Sequence, residues 1–201
     1  MSESNTTKET LADTLKILTS KKPFSKITIA DITKISGFNR QTFYYHFRDK
    51  YELLQWTYEQ DAASIFDENI DFENWHRYMA SLLSLIKQES DFYQNTISCD
   101  ETIFRSFIFS LTTSIFYLAI DTLDLHHQIT QNDKTFYSEF FSFGIAGVII
   151  NWIKSGMKES PEKLAGNMKS LAQDSEKLAY ERYRESYTRI KMEVTTDETK
   201  H

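Results

Sequence analysis

The sequence is poor in residues that break helices or cross-link chains. Its 201 residues include five glycines, two prolines and one cysteine. Scarce glycine and proline leave long uninterrupted segments, which favours helices over short strands joined by turns. Cys99 has no second cysteine to pair with, as is usual for a cytosolic chain. Hydrophobic residues make up 40% of the chain, enough for a core.

The sequence also lacks an evident membrane segment and an even charge distribution. We find no apolar run of the length that spans a bilayer and no charged-then-apolar leader, so we expect a cytoplasmic protein without a membrane partner.

Residues 1–50 hold nine Lys and Arg against five Asp and Glu, a net charge of +4; residues 51–201 hold fourteen against twenty-four, a net charge of −10. A basic N-terminal segment on an acidic chain fits a polyanionic partner.

Local signals in the first fifty residues predict a helix-turn-helix. A helical spacing of leucines ends before Pro23, where proline interrupts the hydrogen-bond ladder. Thr28 and Asp31 have the spacing of a capping box at the start of a second helix. Gly37 suits the left-handed end of that helix, and Asn39 is a cap for a third. This order predicts a helix, a short helix, a tight turn and another short helix.

The predicted third helix has two unlike faces. Phe43 and Phe47 lie four residues apart, so they share one side and should be buried. Most other positions carry hydrogen-bonding groups: Arg40, Gln41, Thr42, Tyr44, Tyr45 and His46. Arginine can bind guanine in a bidentate manner and glutamine can pair with adenine, whereas hydroxyls suit phosphate oxygens. We therefore expect a DNA-reading surface, with Thr28 and Lys50 reaching the backbone on its two flanks.

The run ITIADITKISGFNRQTFYYHFRDKYELL resembles the DNA-binding signature of the TetR/AcrR family of transcriptional regulators. The resemblance covers roughly residues 7–55 and implies an all-helical homodimer that binds a palindromic operator. It assigns DNA-contacting or contact-supporting positions to Thr28, Gln41, Thr42, Tyr44, Tyr45, His46 and Lys50. Asn39 and Arg40 lie where the family varies, so they are expected to set individual sequence preference. The alternative for Tyr45 or His46 is simple packing against a neighbouring helix.

The rest of the chain predicts a helical regulatory domain. We divide the chain into a DNA-binding domain (1–50), an effector- or partner-binding and dimerisation domain (51–191) and a flexible tail (192–201). The segment FYSEFFSFGIAGVIINWIKSGMKESPEKLA is similar to the family's dimerisation region. The expected dimerisation residues are Phe140, Phe143, Gly144, Gly147, Val148, Trp152, Leu164, Met168 and Leu171. The alternative is an ordinary buried helix inside a monomer.

Control of the regulator could come from a small molecule or from a protein. Candidate residues of an effector pocket are Trp56, Trp75, Tyr93, Phe107 and Tyr117, although aromatics at helical spacing more often form core. RQTFYYHFRDKYELLQWTYEQD and a later DFYQ resemble the branch typified by the dihydroxyacetone kinase operon activator. That resemblance implies a kinase-like protein coactivator instead. We predict no cofactor and no metal site, since adjacent His126 and His127 on a polar loop are more often solvated.

Two other classes of protein fit the sequence less well. Little in the sequence supports an enzyme, since it shows no glycine-rich phosphate loop, no nucleophile motif and no metal-ligand spacing. A helical adaptor that binds only proteins would leave the polar face from Arg40 to His46 without a purpose. We therefore expect a DNA-binding regulator rather than an enzyme or an adaptor.

Overall fold

Helices form the regular structure of the part of the chain that we describe. The computed structural model describes residues 3–66, 70–124 and 129–178. The helices are α1 (Glu3–Thr19), α2 (Ile29–Ser36), α3 (Arg40–His46), α4 (Lys50–Ala63), α5 (Trp75–Gln88), α6 (Ser90–Cys99), α7 (Thr102–Leu123) and α8 (Gln131–Lys154), with a 3₁₀ turn at Phe24–Lys26. A further helix, α9, occupies residues 161–178. No strand forms within these ranges, which confirms the all-α prediction.

The first three helices close around a small core, as the sequence predicts. Leu11 and Leu15 of α1, Ile32 of α2 and Phe43 of α3 are completely buried. Helix α1 packs on α2 and α4, and α2 packs on α3. Burying each such side chain contributes about 1.5–3 kcal/mol. This core therefore fixes the two short helices against the longer first one.

Helix α4 leads from these helices into a larger body. Tyr58 of α4 lies among the rings of Phe92, Tyr93 and Phe104, with centroids 5.2 to 5.7 Å away. Helices α7 and α8 pair with each other, and α6 packs against α8, α1 and the 3₁₀ turn. Helix α6 thus stands at the junction between the N-terminal helices and the larger body.

Two statements about the long segments need correction. Helices α7 and α8 are long and apolar enough to cross a membrane by length and composition, contrary to the expectation from the sequence. Both helices are this apolar because each packs one side into the protein and also carries apolar residues on its exposed side. Helix α6 was not predicted, because the chain turns at Glu89 without a glycine or proline to mark the break.

Some predictions remain open. The tail 192–201, residues 179–191 of the predicted regulatory domain, and His126 and His127 lie outside the described residues. The boundary between a domain 1–50 and a domain 51–191 stays a prediction.

Candidate nucleic-acid interface

Helix α2 begins with the predicted capping box. The Asp31 amide donates to the Thr28 hydroxyl at 3.2 Å, and the Thr28 amide donates to the Asp31 carboxylate at 2.8 Å. Lys22 approaches the same carboxylate at 2.6 Å. The Lys22 ammonium, and then the Thr28 hydroxyl and amide, hold the pKa of Asp31 well below its usual range. The start of α2 is therefore fixed by a charged, hydrogen-bonded cluster.

The turn between α2 and α3 has the geometry that the sequence indicated. Gly37 ends α2 with φ +78°, a left-handed conformation that glycine adopts without steric cost. Asn39 then caps α3: its side-chain oxygen accepts from the Thr42 amide at 2.8 Å and from the Thr42 hydroxyl at 3.1 Å. The side chains of Asn39 and Thr42 are thus joined to each other, and their first role is to start α3.

Helix α3 presents one face to the core and the other to solvent. Phe43 is completely buried and Phe47, which ends the helix, is 3% exposed. Arg40 and Gln41 are exposed, and Tyr44 and Tyr45 are 56% and 82% exposed. Neither Arg40 nor Gln41 has a side-chain hydrogen bond to another residue in the described part of the chain. Their donors and acceptors remain available to a ligand.

His46 lies at the edge of this surface. Its ring meets Tyr45 edge to face, with centroids 4.9 Å apart. Burial, followed by the positive charge of Lys8, lowers the pKa of His46 from its ordinary value of 6.5. Both causes disfavour the charged form of the imidazole. Its ring also contacts that of Phe47, with centroids 6.4 Å apart, so His46 packs between the exposed Tyr45 and the buried Phe47.

Lys50 has a partner that the sequence did not indicate. Its ammonium donates to the carbonyls of Phe24 and Ile27 at 2.9 Å and to that of Ser25 at 3.2 Å. It also lies 4.6 Å from the centroid of the Phe24 ring. Burial lowers the pKa of Lys50. We expected this residue to contact phosphate directly; in the structure its ammonium holds the turn that precedes α2.

Two family models match this chain, and together they cover the helix-turn-helix and the larger body. Residues 12–55 match the model described as bacterial regulatory proteins, tetR family. Residues 73–174, half of the chain, match the model described as transcriptional regulator C-terminal region. The chain belongs to the tetR family of bacterial regulators. It is therefore a transcriptional regulator and not an enzyme, as the sequence indicated.

The chain is similar in sequence to two curated bacterial regulators. It is 30% identical over 108 residues to the HTH-type dhaKLM operon transcriptional activator DhaS of Lactococcus lactis subsp. lactis, covering 54% of this chain and 58% of that relative. It is 27% identical over 160 residues to the uncharacterized HTH-type transcriptional regulator YxbF of Bacillus subtilis, covering 75% and 40%. The aligned regions thus span about half the length of these relatives.

A solved structure titled dihydroxyacetone kinase operon activator DhaS has the same fold. It superposes with a TM-score of 0.66 at 24% identity, covering 86% of this chain and 97% of that one. This structure shows the shared fold, and the resemblance to that branch rests on the DhaS sequence match over 108 residues.

The expected dimerisation residues of this tetR family member divide into exposed and buried sets. The exposed ones are Phe140, Phe143, Gly144, Val148 and Leu171; Gly147 and Leu164 are half-buried; Trp152 and Met168 are buried. Trp152 donates its indole N–H to the Glu159 carbonyl at 3.1 Å. Trp152 and Met168 therefore support this region from within the protomer and do not lie on its surface.

Further exposed residues extend this apolar surface along both helices. We define the α8–α9 face as Phe136, Phe140, Phe143 and Val148 of α8 with Leu171 and Leu178 of α9, all at least 45% exposed. Phe136, Phe140 and Phe143 recur at helical spacing on one side of α8, and the two leucines of α9 lie seven residues apart. Exposed apolar residues in such number are candidates for an interaction site.

The five aromatics proposed for an effector pocket are packed against other rings or bonded within the protein. Tyr93 and Phe107 stack on Tyr58, with centroids 5.5 and 5.9 Å away. Trp75 meets Phe116 at 5.1 Å, Trp56 meets Phe47 at 5.9 Å, and the Tyr117 hydroxyl is hydrogen-bonded to Gln131. None of the five lines either of two surface cavities, of about 580 and 490 Å³. These contacts are of the kind that core side chains make, and a role of the five residues in an effector pocket stays a prediction.

Sequence reasoning missed the polar contacts that join α1 to the larger body. The Lys16 ammonium of α1 lies 2.7 Å from Asp61 and 2.6 Å from Glu89. The Tyr93 hydroxyl of α6 donates to the second Asp61 oxygen at 2.7 Å. These partners are tens of residues apart in the chain, so no local spacing could have indicated them.

Proposed function

We propose that this regulator binds DNA as a homodimer and reads its operator with the exposed face of α3 in the major groove. The observation that carries the proposal is the division of α3, which buries Phe43 and exposes Arg40, Gln41, Tyr44 and Tyr45. A helix of a helix-turn-helix with such a face lies against base edges. We infer that Arg40 and Gln41 read bases.

The surrounding residues have supporting roles in this proposal. Tyr44 and Tyr45 present hydroxyls that can donate to phosphate oxygens, and their stiff side chains lose little rotamer freedom on binding. Asn39 and Thr42 begin α3 and fix its direction. Thr28 does the same for α2, and Lys50 acts through the turn that it holds. Phosphate contacts of this kind set the register of the protein on DNA but carry little sequence information.

The α8–α9 face is the proposed dimer interface. It is apolar and exposed, and a pair of two-helix faces can associate as a four-helix bundle about a twofold axis. Two copies of α3 would then address two half-sites separated by about one helical turn, 34–36 Å, or a multiple of it. The operator is accordingly expected to be palindromic.

Control through a protein partner is the better-supported form of regulation. The aromatics that could have lined an internal effector cavity contact other rings or are hydrogen-bonded within the protein, and the DhaS relative is by its name a transcriptional activator. We therefore propose that this chain is a cytoplasmic activator that a protein coactivator controls. A small-molecule effector that binds between the central helices is the second candidate, since the tetR family resemblance allows either.

Selection of genomic fragments by the purified protein tests the proposal. We expect enrichment of a palindromic sequence, and Arg40→Ala should change which bases are required while leaving the fold intact. Arg48→Ala is a matched control, because Arg48 is also exposed but lies beyond the end of α3. Absence of any salt-dependent DNA affinity would instead support a protein-binding adaptor.

A second measurement separates the two forms of control. The operator complex can be titrated with dihydroxyacetone alone, and then with a cell fraction containing the candidate coactivator. A response to the small molecule alone favours an internal effector site. A response that requires protein favours the coactivator.

A further inference from the structure

The connection between α1 and α2, which contains the 3₁₀ turn, is hydrogen-bonded to a side chain of α6. Asn95 of α6 accepts from the Phe24 amide at 2.8 Å. Its side-chain nitrogen donates to the Thr19 carbonyl at 2.6 Å and to the Lys22 carbonyl at 3.0 Å. One half-buried amide therefore binds three backbone groups on the connection between α1 and α2.

These backbone groups have few other partners. Thr19 ends α1, where the last carbonyls of a helix have no partner inside the helix. Pro23 interrupts the connection and has no N–H to contribute. These groups are part-buried, and pairing such groups is favourable, so an external donor and acceptor stabilise the chain here. Asn95 supplies both, which an aspartate or an aliphatic residue could not.

The same turn is also held by α4. The Lys50 ammonium contacts the carbonyls of Phe24, Ser25 and Ile27, and Ile27 directly precedes the cap residue of α2. Phe24 and Ile27 are themselves buried. The turn is thus fixed between α4 and α6, and it delivers the chain into the capping box of α2.

Helix α6 is in turn anchored in the larger body. The Tyr58 hydroxyl of α4 donates to Thr96 at 2.6 Å, one residue after Asn95. Helix α6 also packs against α8, which carries much of the α8–α9 face. A displacement of α6 relative to α1 would therefore shift the turn through the hydrogen bonds of Asn95.

We propose that Asn95 is a positioning residue, whose amide sets the placement of α2, and with it α3, relative to α6. This inference rests on the proposed DNA-binding function. It assigns to this side chain a direct link between α6 and the connection that leads into the helix-turn-helix, beside the ion pairs of Lys16. A shift of α6 would reach the DNA-reading surface through the turn, in addition to any motion of α4.

The substitution Asn95→Ala tests the link without weakening α6. Alanine is a better helix former than asparagine, so α6 itself should be retained. We expect faster exchange of the Phe24 amide by NMR, and operator affinity about tenfold lower at a temperature where the protein is fully folded. The dependence of affinity on salt should not change, because no phosphate contact is removed. Gln94→Ala, at a neighbouring α6 residue without a side-chain hydrogen bond in the described part, should change neither.

A second variant makes the test stricter. Asn95→Asp keeps the size of the side chain but turns its donor into an acceptor facing two carbonyls, so the loss of affinity should exceed that of Asn95→Ala. Gln94→Glu controls for the added charge. If Asn95→Asp does not fold, the alanine variant alone decides.

The outcomes separate this inference from the proposed function. If the hydrogen exchange rate of the Phe24 amide is unchanged in Asn95→Ala, the link is overturned. If that exchange is faster but operator affinity is the same as in the wild type, the positioning role is overturned. A wild-type protein that binds no DNA would instead overturn the proposed function.

Discussion

The helices that form the DNA-reading unit and those of the regulatory body are held in different ways. Helices α2 and α3 have eight and seven residues, and each begins with a side chain that accepts a hydrogen bond from the first turn. Helices α5, α6 and α7, with 14, 10 and 22 residues, begin without such a bond, although the 24-residue α8 has one from Thr130. Short helices are unstable on their own, so local caps matter to them, whereas packing fixes the longer helices.

The two regions also expose different surfaces. Helix α3 exposes hydrogen-bonding side chains, while α8 exposes phenylalanines and a valine. Polar groups that remain exposed suit a hydrated, charged partner such as DNA, and exposed apolar groups suit another protein surface. The following experiments act on one region and use the other as a reference.

Phe43→Ala should have the greatest effect on stability. Removing this fully buried ring leaves a cavity under α3 and should cost about 3–5 kcal/mol of unfolding free energy, measured by chemical denaturation. Tyr45→Ala, which alters the exposed side of the same helix, should change stability by less than about 0.5 kcal/mol. Its effect should fall on DNA affinity. Equal stability losses in the two variants would contradict the assignment of the faces.

Phe140→Glu should separate the proposed dimer. A charge placed in an apolar interface is unfavourable, so light scattering should show a monomer and operator affinity should fall about a hundredfold, roughly 2.7 kcal/mol. Leu118→Glu is a matched control, because Leu118 is 56% exposed but lies on α7. If Leu118→Glu dissociates the dimer and Phe140→Glu does not, the interface lies elsewhere.

Asn39→Ala should show how strongly a seven-residue helix depends on its cap. We expect a loss of about 1 kcal/mol in unfolding free energy and a clear loss of operator affinity, because α3 begins at this cap. Thr130→Ala removes a similar cap from the 24-residue α8. Its cost in stability should be comparable, but operator affinity should stay unchanged. An equal loss of affinity in both variants would refute the difference between the regions.

Acidification should weaken the start of α2 by a smaller amount. The pKa of Asp31 is depressed in the folded state, so its stabilising effect is present above the ordinary aspartate pKa and is lost as pH falls through the depressed value. Melting temperatures of the wild type and Asp31→Asn should therefore differ at neutral pH and converge on acidification. Asp91→Asn on α6 serves as the reference. A gap that widens at low pH would be inconsistent with this sign.

The sequence predicted features that depend on neighbouring residues. The capping box of Thr28 and Asp31, the left-handed Gly37 and the cap by Asn39 are all confirmed. Each is a local feature that involves residues at most four positions apart, so the spacing of residues in the sequence indicates it. The burial of Phe43 followed from helical periodicity in the same way.

Contacts between distant segments could not be predicted in this way. Lys50 was expected to face DNA, yet its partners are carbonyls more than twenty residues earlier in the chain. Asn95 binds groups more than seventy residues away. Trp152 was expected on an interface and is buried under the α8–α9 turn. A composition or a period does not indicate which polar atoms meet after folding.

The amino-acid order alone therefore determined the helical class, the helix-turn-helix and the side of α3 that is exposed, because each arises from bonds and periodicity within one or two helical turns. The tertiary structure decided how the DNA-reading helices are attached to the regulatory body. That attachment consists of side chains such as Asn95, Lys16 and Lys50, whose partners are brought within hydrogen-bond distance only by the packing of α1, α4 and α6.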